Sequence, residues 1–179
     1  MRYLKGIEDY GLYYKKNEKF ELRAYIDVDW ARNIDDRKST SGGEFFLGKR
    51  LVTRTSKKQN YISQSTTEAK YVAATIDCTN IIWIKQLLKG MEEITKPMIL
   101  YCDNTSAINI SKNHVMDKKT KHITIKYRYL LELVQDKEVK MEYVNIKEKI
   151  VDIFTKALPK DSNEYLRGKM QVIPLSKAL

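Results

Sequence analysis

Only two cysteines, Cys78 and Cys102, and two histidines, His114 and His122, occur along the chain, and no CxxC pair is among them. That number and spacing build neither a zinc site nor a disulfide framework, and both thiols read as small core residues in a reducing compartment. No apolar run approaches the roughly 20 residues a membrane-spanning helix needs, and the opening "MRYLKGIEDYG" is too polar for a signal peptide. Membrane insertion and secretion are therefore not expected. Internal repeats, low-complexity tracts and Gly/Ser linkers are missing as well, which leaves one compact domain with short extensions as the expected organisation of 179 residues. No convincing Ser/His or Cys/His pair offers a nucleophilic side chain. Acid is scarce beside base: 23 Asp and Glu face 33 Lys and Arg, a formal net charge of +10. Such a surplus biases the surface towards polyanions, nucleic acid ahead of acidic membranes.

What is present is ordered by period. The opening "MRYLKGIEDYGLYYKK" reads as a short amphipathic helix and a polar turn. "FELRAYIDVDW" then alternates, with Leu22, Ala24, Ile26 and Val28 on one face and Arg23, Tyr25, Asp27 and Asp29 on the other. "EFFLG" and "RLVTRTS", hinged at Gly48-Lys49, complete a three-stranded meander. From Thr66 to Lys89 the spacing turns helical, opened by the capping box "STTE" at Ser65–Glu68 and stopped at Gly90. Pro97 introduces "MILYCD", a continuous apolar run expected to be a strand buried on both faces. A short helix ("NTSAINISKN"), a basic loop ("HVMDKKTKH"), a long helix ("ITIKYRYLLELVQD"), a strand ("EVKMEYVN") and a helix ("KEKIVDIFTKAL") follow, with a weak helical pattern in the tail. The order βββ-α-β-α-α-β-α predicts an α/β fold: a mixed five-stranded sheet, a meander plus two strands reached by crossovers, with helices on both faces. Its first and fourth strands are expected to run parallel and adjacent, with ligands at their carboxyl ends.

Four acids sit at telling places in that layout: Asp27 on the first strand, Glu68 in the first turn of the long helix, Asp103 at the end of the fourth strand and Asp152 in the last main helix. The topology predicts that they converge. Grouped carboxylates repel and are costly without a cation, and an all-oxygen set suits a hard divalent ion, Mg²⁺ or Mn²⁺. Two such ions about 3.5–4 Å apart activate water in phosphodiester cleavage. Each acid also has a plainer reading. Asp27 can face solvent from a half-exposed strand, Glu68 is accounted for by the capping box, and Asp152 can simply decorate a helix near its positive end. Two clusters, Lys57-Lys58-Gln59 and Lys119, Lys121 and His122, lead into helix N-termini and suit phosphate contacts, and the Asn104 amide beside Asp103 suits a 2′-hydroxyl. For any single lysine the alternative is a solvated surface.

The stretches "YIDVDWARNIDDRKSTSGGEFFLG", "TSKKQNYISQSTTEAKYVAA", "LYCDNTSAINISKN", "TKHITIKYRYL" and "YVNIKEKIVDIFTKALP" resemble, in order and spacing, the ribonuclease H domain of copia-type LTR retrotransposon Pol polyproteins. The resemblance implies a ribonuclease H-like fold and cleavage of the RNA strand of RNA–DNA hybrids with two Mg²⁺ or Mn²⁺ ions. It maps the catalytic and metal-binding acids onto Asp27, Glu68, Asp103 and Asp152, with Asp29 in support. It implies residues 1–19 as the remnant of a reverse transcriptase connection, 20–158 as the ribonuclease H-like domain and 159–179 as a C-terminal tail of Pol. The reverse transcriptase domain of the same polyprotein is then a partner, and the setting is intracellular, in cytoplasmic virus-like particles or the nucleus.

The pattern slips in places. "YVNIKEKIVD" lacks the histidine that cellular ribonucleases H carry before the last helix, which implies slower turnover. Arg54 stands where relatives often have Trp, Gly43-Glu44 replaces a Tyr-Cys pair, and Lys70 replaces the second acid of the usual "AEAEY". These changes read as drift, with Glu44 a stray carboxylate able to disturb bound ions. An active hybrid endonuclease and an inactive, nucleic-acid-binding remnant both stay open; an integrase-type core of the same superfamily fits less well.

Overall fold

Alternation in the first long strand dictates the architecture. The computed structural model describes residues 9–12, 21–31, 35–90, 97–112, 124–145, 159–170 and 172–177. Strand β1 covers Tyr10–Leu12, β2 Leu22–Asp29, β3 Thr40–Leu47 and β4 Arg50–Lys58. Helix α1 follows at Thr66–Leu88, then β5 at Met98–Cys102, α2 at Thr105–Lys112, α3 at Thr124–Gln135, β6 at Val139–Tyr143, α4 at Lys160–Lys169 and β7 at Val172–Pro174, before a single 3₁₀ turn at Leu175–Lys177. The main sheet has the order β4-β3-β2-β5-β6. β2, β3 and β4 are antiparallel neighbours, whereas β5 runs parallel to both β2 and β6. This is the expected mixed five-stranded sheet, and its two parallel joins are those that need helical crossovers.

Leu22, Ala24, Ile26 and Val28 pack into one buried cluster with Ala69, Ala73, Ala74, Cys78 and Ile81 of α1 and with Met98, Leu100, Val139 and Met141 of the parallel strands. A fully buried Leu or Ile contributes roughly 1.5–3 kcal/mol, so this alternation fixes the register of β2. The small residues of α1 let the helix lie close on the sheet. Its start is the capping box read from the sequence: Ser65 Oγ accepts from the Glu68 N–H at 3.1 Å, and Glu68 Oε2 accepts from the Gln64 N–H at 2.7 Å. Gly48, at φ 63°, supplies the left-handed residue that the β3–β4 hairpin needs.

At the opening of the chain the expected helix gives way, where it is described, to strand. Tyr10–Leu12 pairs antiparallel with Val172–Pro174, so the two ends of the chain are joined in a second, two-stranded sheet. Behind it Met170 fills a small apolar cluster with Phe46 and Leu51, against Tyr25 and Val172. At residues 10–12 the partner lies more than 150 residues away, which no local pattern encodes; the rest of the expected helix lies outside the described residues. The expected helix over 147–158 lies outside the described residues.

Two of the sequence departures have partners across the sheet. Gly43 lies opposite Thr55 on β4, and a Cβ on Gly43 would overlap the carboxylate of Asp77 on α1. The missing side chain is the space in which Asp77 sits, 1% exposed, accepting from Thr55 Oγ1 at 3.1 Å. Glu44, fully buried, stands directly opposite Arg54 on one side and Tyr25 on the other. It lies one pleat back from Asp27 rather than at the strand ends. The register thus places the two departures opposite one another, with Glu44 buried and Arg54 exposed.

Burial pushes the Asp77 carboxyl up to about 7, against the opposing hydrogen bonds from Thr55 and Asn80. A carboxyl raised in the fold binds its proton more tightly folded than unfolded. Asp77 therefore contributes stability that is fully present below about pH 4 and is lost as pH rises through about 7, on the order of 4 kcal/mol. Asp77→Asn is expected to remove most of that slope and to raise the urea midpoint at pH 8, checked by denaturation at pH 5 and 8. Gly43→Ala is expected to cost about 1–3 kcal/mol through overpacking. In an Asp77→Ala background that cost should shrink to a few tenths, read from a double-mutant cycle.

Candidate functional site

The parallel pairing of β2 with β5 sets Tyr25 level with Tyr101, and the two rings stack at 4.7 Å between centroids with 21° between planes. Two residues further along each strand stand Asp27 and Asp103. Period-2 alternation puts Asp27 on the face of the stacked tyrosines, while Asp103 lies just past the end of β5, at the same end of the sheet. Asp27 is 1% exposed. Asp103 follows the last residue of β5, and its side chain is 7% exposed.

The loop leaving β5 is fixed by its neighbour. Asn104 Oδ1 accepts from the Ala107 N–H at 2.8 Å, and its carbonyl accepts from the Ile108 N–H at 3.1 Å, an N-cap for α2. Its Nδ2 points to Thr67 Oγ1 at 3.4 Å. The first turn of α1 thus turns Thr67 towards Asn104 and, three residues on, Lys70 towards Asp103, with which the Lys70 ammonium forms an ion pair. Glu68 lies about 100° round the helix from Thr67 and about 160° from Lys70. Its carboxylate accepts instead from the Gln64 N–H.

Asp27 and Asp103 lie at the same end of adjacent strands, and Lys70, which the sequence marked only as a departure, faces Asp103 from the helix. Glu68 is held at the helix start. Asp152 lies outside the described residues, as do Lys119, Lys121 and His122 of the second basic cluster. Among the described residues no three His, Cys, Asp or Glu side chains come together in a group that could hold a metal ion. As arranged, the described donors do not fit a two-ion centre, because a lysine ammonium already faces Asp103. Helical spacing shows that Thr67 and Lys70, an i, i+3 pair, share a face that excludes Glu68, but not which face turns to Asp103.

The first basic cluster divides. Lys57 and Lys58 are exposed at the end of β4, and Lys58 pairs with Asp36 at 2.6 Å, holding the Asp36 carboxyl below its usual range. Gln59 is 3% exposed. Its amide donates to Ser41 Oγ and to the Ala69 carbonyl, each at 2.9 Å, and accepts from Ser63 Oγ at 2.9 Å. This side chain ties β3 to α1 from inside the fold, where it is out of reach of a phosphate.

The arrangement defines the class of protein. Over 83% of this chain and 91% of that one, the fold matches LC11-RNase H1, isolated from compost by a metagenomic approach, with a TM-score of 0.50 and 13% identity. It matches the protease-reverse transcriptase of prototype foamy virus with a TM-score of 0.51 and 14% identity, over 89% of this chain and 22% of that one. The fold is ribonuclease H-like. In sequence the chain is 35% identical over 164 residues to the retrovirus-related Pol polyprotein from transposon TNT 1-94 of Nicotiana tabacum, covering 92% of the chain and 12% of that relative. It is 33% identical over 174 residues to the corresponding polyprotein from transposon RE2 of Arabidopsis thaliana, covering 97% and 12%. No protein-family model matches. The chain is a homologue of the retrovirus-related Pol polyproteins of plant transposons, spanning about one eighth of their length.

Gln59→Ala is expected to lower stability by about 1–3 kcal/mol, because it leaves buried donors and acceptors without partners. Lys57→Ala, at the exposed end of the same strand, should change it by less than about 0.5 kcal/mol. Urea denaturation of the two variants side by side checks the contrast.

Proposed function

We propose that the chain is the ribonuclease H domain of a copia-type Pol polyprotein, that it binds RNA–DNA hybrids and that it hydrolyses phosphodiester bonds in their RNA strand. The observation that supports this reading is the parallel adjacency of β2 and β5, whose carboxyl ends carry Asp27 and Asp103, where ligands of such sheets gather. The formal charge of +10 supports a polyanionic ligand. Lys57, exposed at the end of β4 beside the loop that leads into α1, is a backbone contact, as is Lys58 once it leaves Asp36. Asn104, beside Asp103, distinguishes a ribose from a deoxyribose once its Nδ2 turns from Thr67. Magnesium or manganese, bound by Asp27, Glu68, Asp103 and Asp152, is the cofactor that the family likeness implies, and it requires a rearrangement of Lys70 and Glu68 from the positions they hold here. The reverse transcriptase of the same polyprotein is the natural partner, and an intracellular site, in virus-like particles or the nucleus, follows from that assignment. No described helix is long and apolar enough to cross a membrane.

One observation favours the second reading, a binding module without nuclease activity: the Lys70 ammonium on Asp103. Incubation of the chain with labelled hybrid and Mg²⁺, beside Asp103→Asn, separates the two. The nuclease reading expects cleavage by the parent and a loss of at least about 100-fold in the variant, since a buried charge that organises the site is removed. Binding without cleavage in both proteins establishes the second reading. In either case Lys57→Ala/Lys58→Ala should weaken hybrid binding at low salt and reduce the slope of log K against log salt by up to about two units.

A further inference from the structure

Lys70 and Asp103 form an ion pair between two nearly buried side chains, 12% and 7% exposed, on α1 and at the end of β5. Thr67 and Asn104 join the same two elements one helical turn earlier, so the approach of Lys70 to Asp103 is built into the packing and is not a chance surface contact. A desolvated carboxylate requires positive charge nearby. For Asp103, a lysine on the facing helix is that charge.

We propose that Lys70 is an internal cation that competes with divalent metal for Asp103, so that this carboxylate binds metal only when the lysine side chain withdraws. The inference rests on the assignment of Asp103 to the functional site and adds a residue that tunes it. A divalent ion at Asp103 would meet the ammonium within a few ångströms in a poorly screened setting, where like charges repel strongly. Binding must therefore displace the ion pair, and the affinity measured is reduced by the fraction of time the lysine stays in place. The four-carbon stem of lysine permits that withdrawal without unfolding the helix.

The test is binding of Mn²⁺ alone, by titration calorimetry and by loss of the free-ion signal in electron paramagnetic resonance, to the 179-residue chain and to Lys70→Gln. Glutamine removes the cation without supplying a new carboxylate. Lys70→Gln is expected to bind Mn²⁺ at least tenfold more tightly than the parent, Lys70→Arg as weakly as the parent, and Lys70→Gln/Asp103→Asn is expected to lose the gain. Equal affinity in parent and Lys70→Gln, including undetectable binding in both, overturns the proposal. So does a gain that survives Asp103→Asn. Circular dichroism in EDTA and in Mn²⁺ guards against a folding defect: should Lys70→Gln unfold in EDTA, Mn²⁺ must restore the fold, and failure to restore it also counts against the proposal. Hybrid cleavage is scored separately. A tighter Lys70→Gln with no cleavage by any form leaves the inference standing and removes the nuclease reading. Cleavage by the parent with no change in Mn²⁺ affinity does the reverse.

Discussion

Two parallel strands that lie side by side must end side by side, and acids at their carboxyl ends are then forced together whatever the rest of the chain does. In this protein β2 and β5 carry Asp27 and Asp103 at the same end, two residues beyond the stacked Tyr25 and Tyr101 along the chain. Neither acid has enough water around it to stay charged cheaply. Every other feature of the strand ends answers that constraint. The first turn of α1 turns Lys70 inward, Asn104 closes the loop by capping α2, and Thr67 ties the two elements together. The site is a problem in charge compensation before it is a problem in catalysis.

The same logic governs the acids deeper in the sheet. Asp77 occupies the volume left by Gly43 and is held by Thr55, so a glycine, an acid and a hydroxyl on three elements form one unit. Desolvation keeps the proton on that carboxyl to near neutral pH and also pushes the thiol of the adjacent Cys78 up, leaving it inert as a nucleophile. Glu44 lies opposite Arg54 in the register of β3 and β4. Of the departures, the glycine at 43 has a clear three-dimensional reason, the space that Asp77 fills.

Much of this was legible in the sequence. Strict alternation at residues 22–28 set the buried face of β2, and "STTE" marked the start of α1, because periodicity and capping are local chemistry. The five-stranded order followed from the shift between period 2 and helical spacing. Three things were not legible, each for a physical reason. The pairing of β1 with β7 joins the ends of the chain and has no local signature. Gln59, in a run of lysines, reads as a surface residue until the polar groups it satisfies inside the fold are seen. Glu68 and Lys70 sit two residues apart, and only the orientation of α1, set by distant packing, decides which of them faces Asp103. Convergence of acids was deduced from topology. Topology places Cα atoms, and side-chain direction on a helix turns by about 100° per residue.

The buried acids also change how the charge of the chain should be understood. Asp27, Glu44 and Asp77 are each no more than 1% exposed. They are held inside the fold, and the Asp77 carboxyl, raised to about 7, is only partly ionised at neutral pH, so the surface a polyanion meets carries less acid than the sequence total implies. Lys57 stands in that outer field, while Lys58 and Lys70 are already committed to Asp36 and Asp103. Attraction of a nucleic acid then needs no change in the interior, whereas access of a cation to Asp103 does. Binding and chemistry are separable properties of this fold, and the lysine on α1 is the point at which they part.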